Sequence, residues 1–358
     1  MFPPYSQICI SPDVSIREAV ACIDRNAKGI ALVTDEDGRL LGTITDGDVR
    51  RSMLAKMYLE TPVSVLLAHK AASLRLQVVT AQVGTSPATL LQLMHDSEVR
   101  QIPLLDGAGR VAGLVTLDEL VPRSNLLSQA VVMAGGLGTR LRPLTEDLPK
   151  AMLPVGGRPL MERIIEQLQQ AGIRRVNVTT HYKSEKIMDH FGDGRAFGVE
   201  LHYVNEDRPL GTGGALGLMP APQEPMLIIN GDILTEIDFR AMLDFHQESR
   251  AEMTVAVSRY DLQVPYGVVE CEGSHVCGLT EKPQLSFFVN AGIYLIEPAV
   301  YSYIPNGERF DMTDLIDKLL SAKRPVVSFP IREHWLDIGQ HSDYEQAQKR
   351  AMNWKPRS

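Results

Sequence analysis

The chain has 358 residues, 44% of them hydrophobic and 22% charged, with a formal charge of −8; about two domains of roughly 150 residues each are expected, and wholesale disorder is excluded. The acidic balance argues against a general nucleic-acid binder, because that affinity rests on dense Lys and Arg fields. Four cysteines without a CxxC pair or zinc spacing read as reduced thiols of a cytoplasmic protein, and the absence of a basic start with an apolar stretch, or of any apolar run near 18 residues, argues against secretion and membrane spanning.

In chain order, the first feature is an internal repeat. Ser15 to Val49 lies on Ser86 to Leu120 without a gap, matching Asp35 with Asp106, Gly38 with Gly109, Gly42 with Gly113 and Thr45 with Thr116. Each copy reads as helix, strand, tight turn, strand and a Thr-led helix start. Ile16, Ala19, Val20 and Ile23 have the spacing of one helix face. Asp37-Gly38 and Ala108-Gly109 sit between β-rich runs, where a hairpin turn needs a residue that tolerates positive φ.

This doubled pattern resembles a tandem pair of CBS domains over residues 1–123, with repeats at about 1–57 and 72–123, an α+β regulatory module. The resemblance implies that Thr45 and Asp48 hold the phosphate side and the ribose of an adenine nucleotide. In the second copy Thr116 is kept, but the aligned acid is Glu119, a departure from the family pattern. A Thr and an acid three residues later are also ordinary N-capping residues. A regulatory nucleotide at the pair is therefore one expectation and plain capping the other.

After Pro122-Arg123-Ser124-Asn125 the pattern changes to short β runs alternating with helical stretches, beginning at Gln129 to Met133, as a parallel α/β sheet requires. Pro159 can open a helix with Leu160, Ile164, Ile165 and Leu168 on one face, ending at Gly172. The run Met226 to Ile229 stops at Asn230-Gly231-Asp232. Ligand groups of such sheets collect at the carboxyl ends of strands, so Gly135 and Asp232 should meet in one crevice.

The densest signal is Met133-Ala134-Gly135-Gly136-Leu137-Gly138-Thr139-Arg140-Leu141-Arg142-Pro143-Leu144-Thr145, followed by Pro149 to Val155. A glycine-rich turn after a buried strand exposes backbone N–H groups that can cradle phosphates. It is neither a Walker P-loop nor a dinucleotide fingerprint. The string resembles the signature of the nucleotidyltransferase family that makes nucleotide sugars, and six later stretches follow in that family's order, from Pro209-Leu210-Gly211-Thr212-Gly213-Gly214-Ala215 through Asn230-Gly231-Asp232 to Trp335-Leu336-Asp337-Ile338-Gly339. The fold implied is a Rossmann-like catalytic domain over residues 128–354, a mostly parallel sheet flanked by helices.

In that family a sugar phosphate attacks the α-phosphorus of a nucleoside triphosphate and pyrophosphate leaves, so catalysis is positioning and charge neutralisation. The resemblance assigns Mg²⁺ to Asp232 and Asp337, the triphosphate to Arg140 and Lys150, and the acceptor phosphate to Lys282. It further implies nucleotide contacts from Gly135, Gly136, Gly138, Thr139 and Gly213, and sugar contacts from Gly214, Gly267, Glu281, Asn290 and Gly292. His181 and Tyr182 are candidate pocket lining. The chain stops shortly after Gly339 without a hexapeptide-repeat extension, so no acetyltransferase domain is expected.

The Pro-Leu-Gly-Thr-Gly-Gly-Ala form resembles guanylyltransferases acting on heptose, mannose or glucosamine 1-phosphates, and the fused CBS pair resembles glucosamine-1-phosphate guanylyltransferases of legionaminic acid pathways. GTP and a hexose 1-phosphate are the favoured substrates. Thymidylyl, uridylyl or cytidylyl transfer, the last to a choline or polyol phosphate, and a catalytically idle nucleotide sensor are the alternatives. Both families often self-associate, so a homo-oligomer is expected.

Overall fold

The computed structural model describes residues 7–74, 78–120 and 127–351; the proposed junction at Pro122 to Asn125 lies outside them. The chain divides into two compact units, Met1–Ser124 and Asn125–Ser358. Among the described residues no helix is long and apolar enough to cross a membrane.

The first unit follows the repeat. Its first half contains β1 (Cys9–Ile10), α1 (Ile16–Asn26), β2 (Ile30–Thr34), β3 (Leu40–Thr45), α2 (Asp46–Leu54) and α3 (Val63–Leu74). The second half contains β4 (Ala81–Gln82), α4 (Pro87–Ser97), β5 (Gln101–Leu105), β6 (Val111–Thr116) and α5 (Leu117–Leu120). Each half builds a three-stranded sheet, in the orders β1-β2-β3 and β4-β5-β6. Ser15 caps α1 reciprocally with Glu18, and the helix buries Ile16, Ala19, Cys22 and Ile23. The two turns take φ of +79° at Gly38 and +78° at Gly109, the left-handed conformation that glycine adopts without Cβ strain. They meet each other: the Val111 N–H donates to Gly38 O at 3.0 Å, and Ile8, Ile30, Leu32 and Leu114 form a shared cluster between the halves.

The second unit begins with β7 (Gln129–Met133), followed by β8 (Pro154–Val155), β9 (Arg158–Pro159), α6 (Leu160–Gln170), β10 (Arg175–Thr180), α7 (Ser184–Phe191) and β11 (Glu200–Asn205). Then come α8 (Gly211–Gly214), β12 (Met226–Asn230), β13 (Ile233–Thr235), α9 (Phe239–Glu248), β14 (Met253–Gln263), β15 (Val268–Glu272), β16 (His275–Thr280) and β17 (Gln284–Ile296). The unit closes with α10 (Met312–Ser321), β18 (Val326–Pro330), β19 (Trp335–Asp337) and α11 (His341–Ala351). Pro159 stands at the N-cap of α6, which buries Met161, Ile164, Ile165 and Leu168 against the sheet and Leu160 in a separate cluster with Leu141, Leu153 and Val155. Leu160, Ile164, Ile165 and Leu168 are the face that the sequence spacing requires, and Met161 adds to it.

The central sheet has the order β11-β10-β7-β12-β17-β14-β18. Only β17 runs against the rest, pairing antiparallel with both β12 and β14. Its strands carry continuous apolar runs because helices cover both faces; Ala130, Val131 and Val132 of β7 are wholly buried. From β7 the chain moves outward through β10 to β11, then returns to the other side of β7 as β12. This reversal of strand order opens a crevice at the carboxyl ends of β7 and β12.

Candidate active site

A cavity of about 390 Å³ occupies that crevice, within the size range of small-molecule sites. Its wall includes Gly135, Gly136, Gly138, Thr139, Arg140 and Lys150, together with Asp232 from beyond β12. The loop after β7 and the acid after β12 therefore meet, as the strand-end argument requires. Gly138 holds φ at +62°, and Thr145 donates its hydroxyl to Gly138 O at 2.7 Å, pinning the loop. A Cβ at Gly135 would stand 2.5 Å from Glu206 Oε1, so only glycine brings the backbone this close to that carboxylate.

Asp232 and Asp337 lie 105 positions apart in sequence, yet β13 pairs antiparallel with β19 and sets Ile233 opposite Asp337. The Ile338 N–H donates to Asp232 O at 3.1 Å, and Trp335 Nε1 donates to Ala291 O at 2.8 Å, locking this short ladder against the main sheet. Lys150 Nζ donates to Asp232 Oδ2 and stands 3.6 Å from Asp337 Oδ1. Partial burial, then the neighbouring Asp232 charge, pushes the Asp337 carboxyl above its ordinary value, with Lys150 and Arg140 opposing.

The other oxygen, Asp232 Oδ1, is buried without a hydrogen-bond partner, as is Asn230 Oδ1. An unsatisfied buried carboxylate oxygen is costly unless a ligand completes it. Asp232 lines the cavity, and Asp337, beside it across Lys150, lies outside the lining; one or two carboxylates with the remaining positions left to water and phosphate are the set that Mg²⁺ takes. Among the described residues no group of three or more His, Cys, Asp or Glu side chains could hold a metal.

Other predicted residues go elsewhere. Gly213 and Gly214 were expected to approach the ligand through the backbone, but both donate their N–H to Phe310 O, and a Cβ at Gly214 would stand 2.4 Å from Glu308 O. Their smallness serves packing against residues 308–311, while Gly211 and Thr212 form the cavity wall. Gly267, Glu281 and Lys282 lie beside the β15–β16 hairpin and outside the residues that line the cavity. Gly267 and Glu281 are neighbours, a Cβ on the former standing 2.9 Å from Glu281 Oε2. Asn290 accepts from the Gly292 N–H at 3.0 Å, and Gly292, at φ +69°, makes room for Asn230. His181 and Tyr182 are braces: His181 Nδ1 is 2.7 Å from Glu206 O, and the Tyr182 hydroxyl donates to Glu146 O at 3.1 Å.

Glu206 is the residue that sequence reasoning missed. It follows β11, is 5% exposed, lines the cavity and accepts from the Leu210 N–H at 2.9 Å through Oε2. Burial raises its carboxyl above the ordinary value, against the Leu210 hydrogen bond and His181. An acid at the carboxyl end of a parallel strand, just ahead of Pro209-Leu210-Gly211, was the available signal.

In the first unit the expected nucleotide residues are occupied by structural work. Thr45 and Asp48 form a capping box at α2. Asp48 also accepts from Lys70 Nζ at 2.7 Å and Arg51 Nη2 at 2.8 Å. Burial alone would lift this carboxyl, but those two cations hold it below its ordinary value. Its stabilisation is therefore present above the unfolded carboxylate range and is lost as pH falls through the folded value. Glu119 accepts from the Thr116 N–H at 3.0 Å and pairs with Lys28 of the first repeat at 2.5 Å, so the departure from the family pattern ties the halves together. Asp48→Ala is expected to destabilise the first unit by about 2–4 kcal/mol, through a broken buried ion pair and a lost cap. Urea unfolding followed by tryptophan-independent circular dichroism checks this, and an unchanged midpoint would contradict it.

Comparison with known proteins matches residues 129–353 to the family model described as Nucleotidyl transferase, and residues 5–55 and 73–124 to the CBS domain. Among curated relatives, the mannose-1-phosphate guanylyltransferase of Mycobacterium tuberculosis is 34% identical over 60% of this chain. The chain spans 62% of that protein's length. The D-glycero-alpha-D-manno-heptose 1-phosphate guanylyltransferase of Aneurinibacillus thermoaerophilus is also 34% identical, over 63% of this chain and 99% of its own. Among solved structures, a putative glucose-1-phosphate thymidylyltransferase from Bacillus anthracis superposes with a TM-score of 0.53 at 25% identity, covering 64% of this chain and 97% of that one.

Proposed function

Because the chain belongs to the nucleotidyl transferase family and carries a tandem CBS pair ahead of the family domain, we propose that it transfers a nucleotidyl group from a nucleoside triphosphate to a sugar 1-phosphate. GTP is the favoured donor and glucosamine 1-phosphate or another hexose 1-phosphate the favoured acceptor. The observation that carries this reading is the meeting of the glycine-rich loop, Lys150 and the half-satisfied Asp232 in one phosphate-sized cavity.

The acceptor phosphate oxygen forms a bond to the α-phosphorus while the bond to pyrophosphate breaks. Asp232 and Asp337 would hold Mg²⁺, which would supply neutralisation of the phosphate charges. The loop N–H groups from Gly135 to Thr139 cradle the triphosphate, and Arg140 balances the charge of the leaving pyrophosphate. Lys150, now held by Asp232, is placed to follow charge as it develops at the α-phosphate. The reading keeps the acceptor role that the resemblance gives Lys282, Glu281, Gly267 and Asn290, although none of the four lines the cavity.

Glu206 supports guanine. The N1–H and N2–H groups of guanine are adjacent donors that one carboxylate accepts together, whereas uracil and thymine offer a single N–H between two acceptors. The CBS pair would adjust the rate in response to a bound nucleotide.

Pyrophosphate release with Mg²⁺, crossing GTP, dTTP, UTP and CTP against hexose 1-phosphates and choline phosphate, tests the whole reading. Release with GTP and a hexose 1-phosphate is expected. A preference for dTTP or UTP would overturn the base assignment, and turnover of choline phosphate alone would overturn the acceptor class.

A further inference from the structure

The turn that closes the cavity beside Glu206 has almost no regular structure of its own. It runs from Glu206 to the single turn of α8 and contributes Pro209, Gly211 and Thr212 to the cavity wall. A lone helical turn is not stable by itself, so the shape of this wall must be imposed from elsewhere. It is imposed by the start of α10, 99 positions later in the chain.

The two segments exchange hydrogen bonds. Phe310 donates its N–H to Leu210 O at 2.8 Å, and its own carbonyl accepts from Gly213 and Gly214 at 2.9 and 2.8 Å. Asp311 Oδ1 accepts from the Thr212 N–H at 2.9 Å and from the Thr212 hydroxyl at 3.3 Å. That hydroxyl in turn accepts from the Met312 N–H at 3.0 Å, an orphan donor in the first turn of α10.

The α10 side is the rigid one. Phe310 and Met312 are 5% and 1% exposed and pack with Leu315 and Leu319 in a core cluster, where close packing resists displacement. The turn is shaped to meet it: Gly211 holds φ at +82°, and a Cβ there would stand 2.5 Å from Asp311 Oδ1 and 2.7 Å from Phe310 O. Its other end is held by Glu206, whose Oε2 accepts from the Leu210 N–H. Two carboxylates therefore clasp Leu210 to Thr212 from opposite ends, and the placement of the wall relative to Glu206 depends on both.

Resting on the reading of Glu206 as the group that meets the base, we infer that Asp311 is a positioning residue for nucleotide recognition. Its carboxyl stands behind the wall, outside the residues that line the cavity, and acts through Gly211 and Thr212.

Equilibrium binding of GTP and UTP with Mg²⁺ and no acceptor, followed by initial rates with a hexose 1-phosphate, tests this on the full chain. Asp311→Ala should weaken GTP binding and raise the KM for GTP by at least about 10-fold, the scale of losing a hydrogen bond to a charged group, with the KM for the sugar phosphate unchanged. A mere loss of folded protein would lower kcat and leave both KM values alone. Asp311→Asn keeps an oxygen for the Thr212 N–H and should return GTP affinity to within about threefold of the wild type. Asp311→Ser keeps a capping hydroxyl for α10 and should show the alanine effect even if alanine folds poorly. Asp314→Ala removes the acceptor of the Asp311 N–H, loosening the same helix start without touching the turn, and should keep the wild-type KM. Equal GTP affinity in the wild type, Asp311→Ala and Asp311→Ser would overturn the inference, as would the same KM change in Asp314→Ala. A wild type that prefers UTP would overturn only the base assignment, and the inference then stands or falls on whether Asp311→Ala weakens UTP equally. A wild type that binds neither nucleotide would overturn both.

Discussion

Asp232→Asn is expected to lower pyrophosphate release by on the order of 10³-fold at saturating substrate, the scale of losing a preorganised charge at a phosphoryl centre. The substitution keeps the volume and one oxygen, so the ladder that holds Ile338 to the Asp232 carbonyl should persist and the fold with it. Two things change. The buried Oδ1 no longer belongs to a charged ligand, and Lys150 loses the anion that holds it. Weakened Mn²⁺ or Mg²⁺ binding in isothermal titration, measured with nucleotide present, separates the metal role from a defect in lysine placement. Near-normal turnover would remove Asp232 from the reaction.

The second large effect concerns Glu206→Gln. A bidentate base contact is worth about 1–3 kcal/mol of discrimination, so the variant should lose about 10- to 100-fold in the kcat/KM ratio of GTP over UTP. Glutamine keeps an acceptor for the Leu210 N–H but offers only one further acceptor and adds donors. The same variant has a signature in the absence of substrate. Burial raises the folded-state value of this carboxyl, so the folded protein holds the proton longer than the unfolded chain. That contribution to stability is fully present below the unfolded value, about 4.3, and is lost as pH rises through the folded value. As pH rises above the unfolded value and through the folded one, the wild type should therefore lose stability relative to Glu206→Gln, as thermal melts at stepped pH can show. Parallel melting curves would mean that the carboxyl is not perturbed, and an unchanged base preference would move guanine reading elsewhere.

How much was legible in the sequence depended on whether the signal was local. The repeat, the turns at Gly38 and Gly109, the face of α6 and the loop after β7 are each set by residues close in the chain, and each could be read there. The convergence of Gly135 and Asp232 was also legible, because parallel sheets place strand ends on one edge. Asp337 was marked by its motif, but its place opposite Ile233 depends on the β13–β19 pairing, which no local pattern announces. Glu206 shows the same limit more strongly: it becomes a site residue only through burial against Gly135. Gly213 and Gly214 illustrate the reverse case, where a glycine suggests ligand approach and tertiary packing against residues 308–311 takes it instead. Thr45 and Asp48 could be read as ligand residues or as a cap, and the side chains adopt the cap.

β17 belongs to two worlds at once. From Ala291 to Ile296 it is buried at the centre of the sheet, whereas from Gln284 to Phe288 it is exposed on the two-stranded ribbon it forms with Arg259 to Gln263 of β14, and the change falls between Asn290 and Ala291, beside the register shift between Val255 and Val257 of β14. Residues on the ribbon side belong to neither main core cluster, so substitutions there are limited by what the ribbon binds and not by the packing of the sheet. Lineages could therefore drift through new acceptor-side sequences without passing through unfolded intermediates, while the loop after β7 stayed fixed. A fold divided in this way is evolvable at one end and conservative at the other.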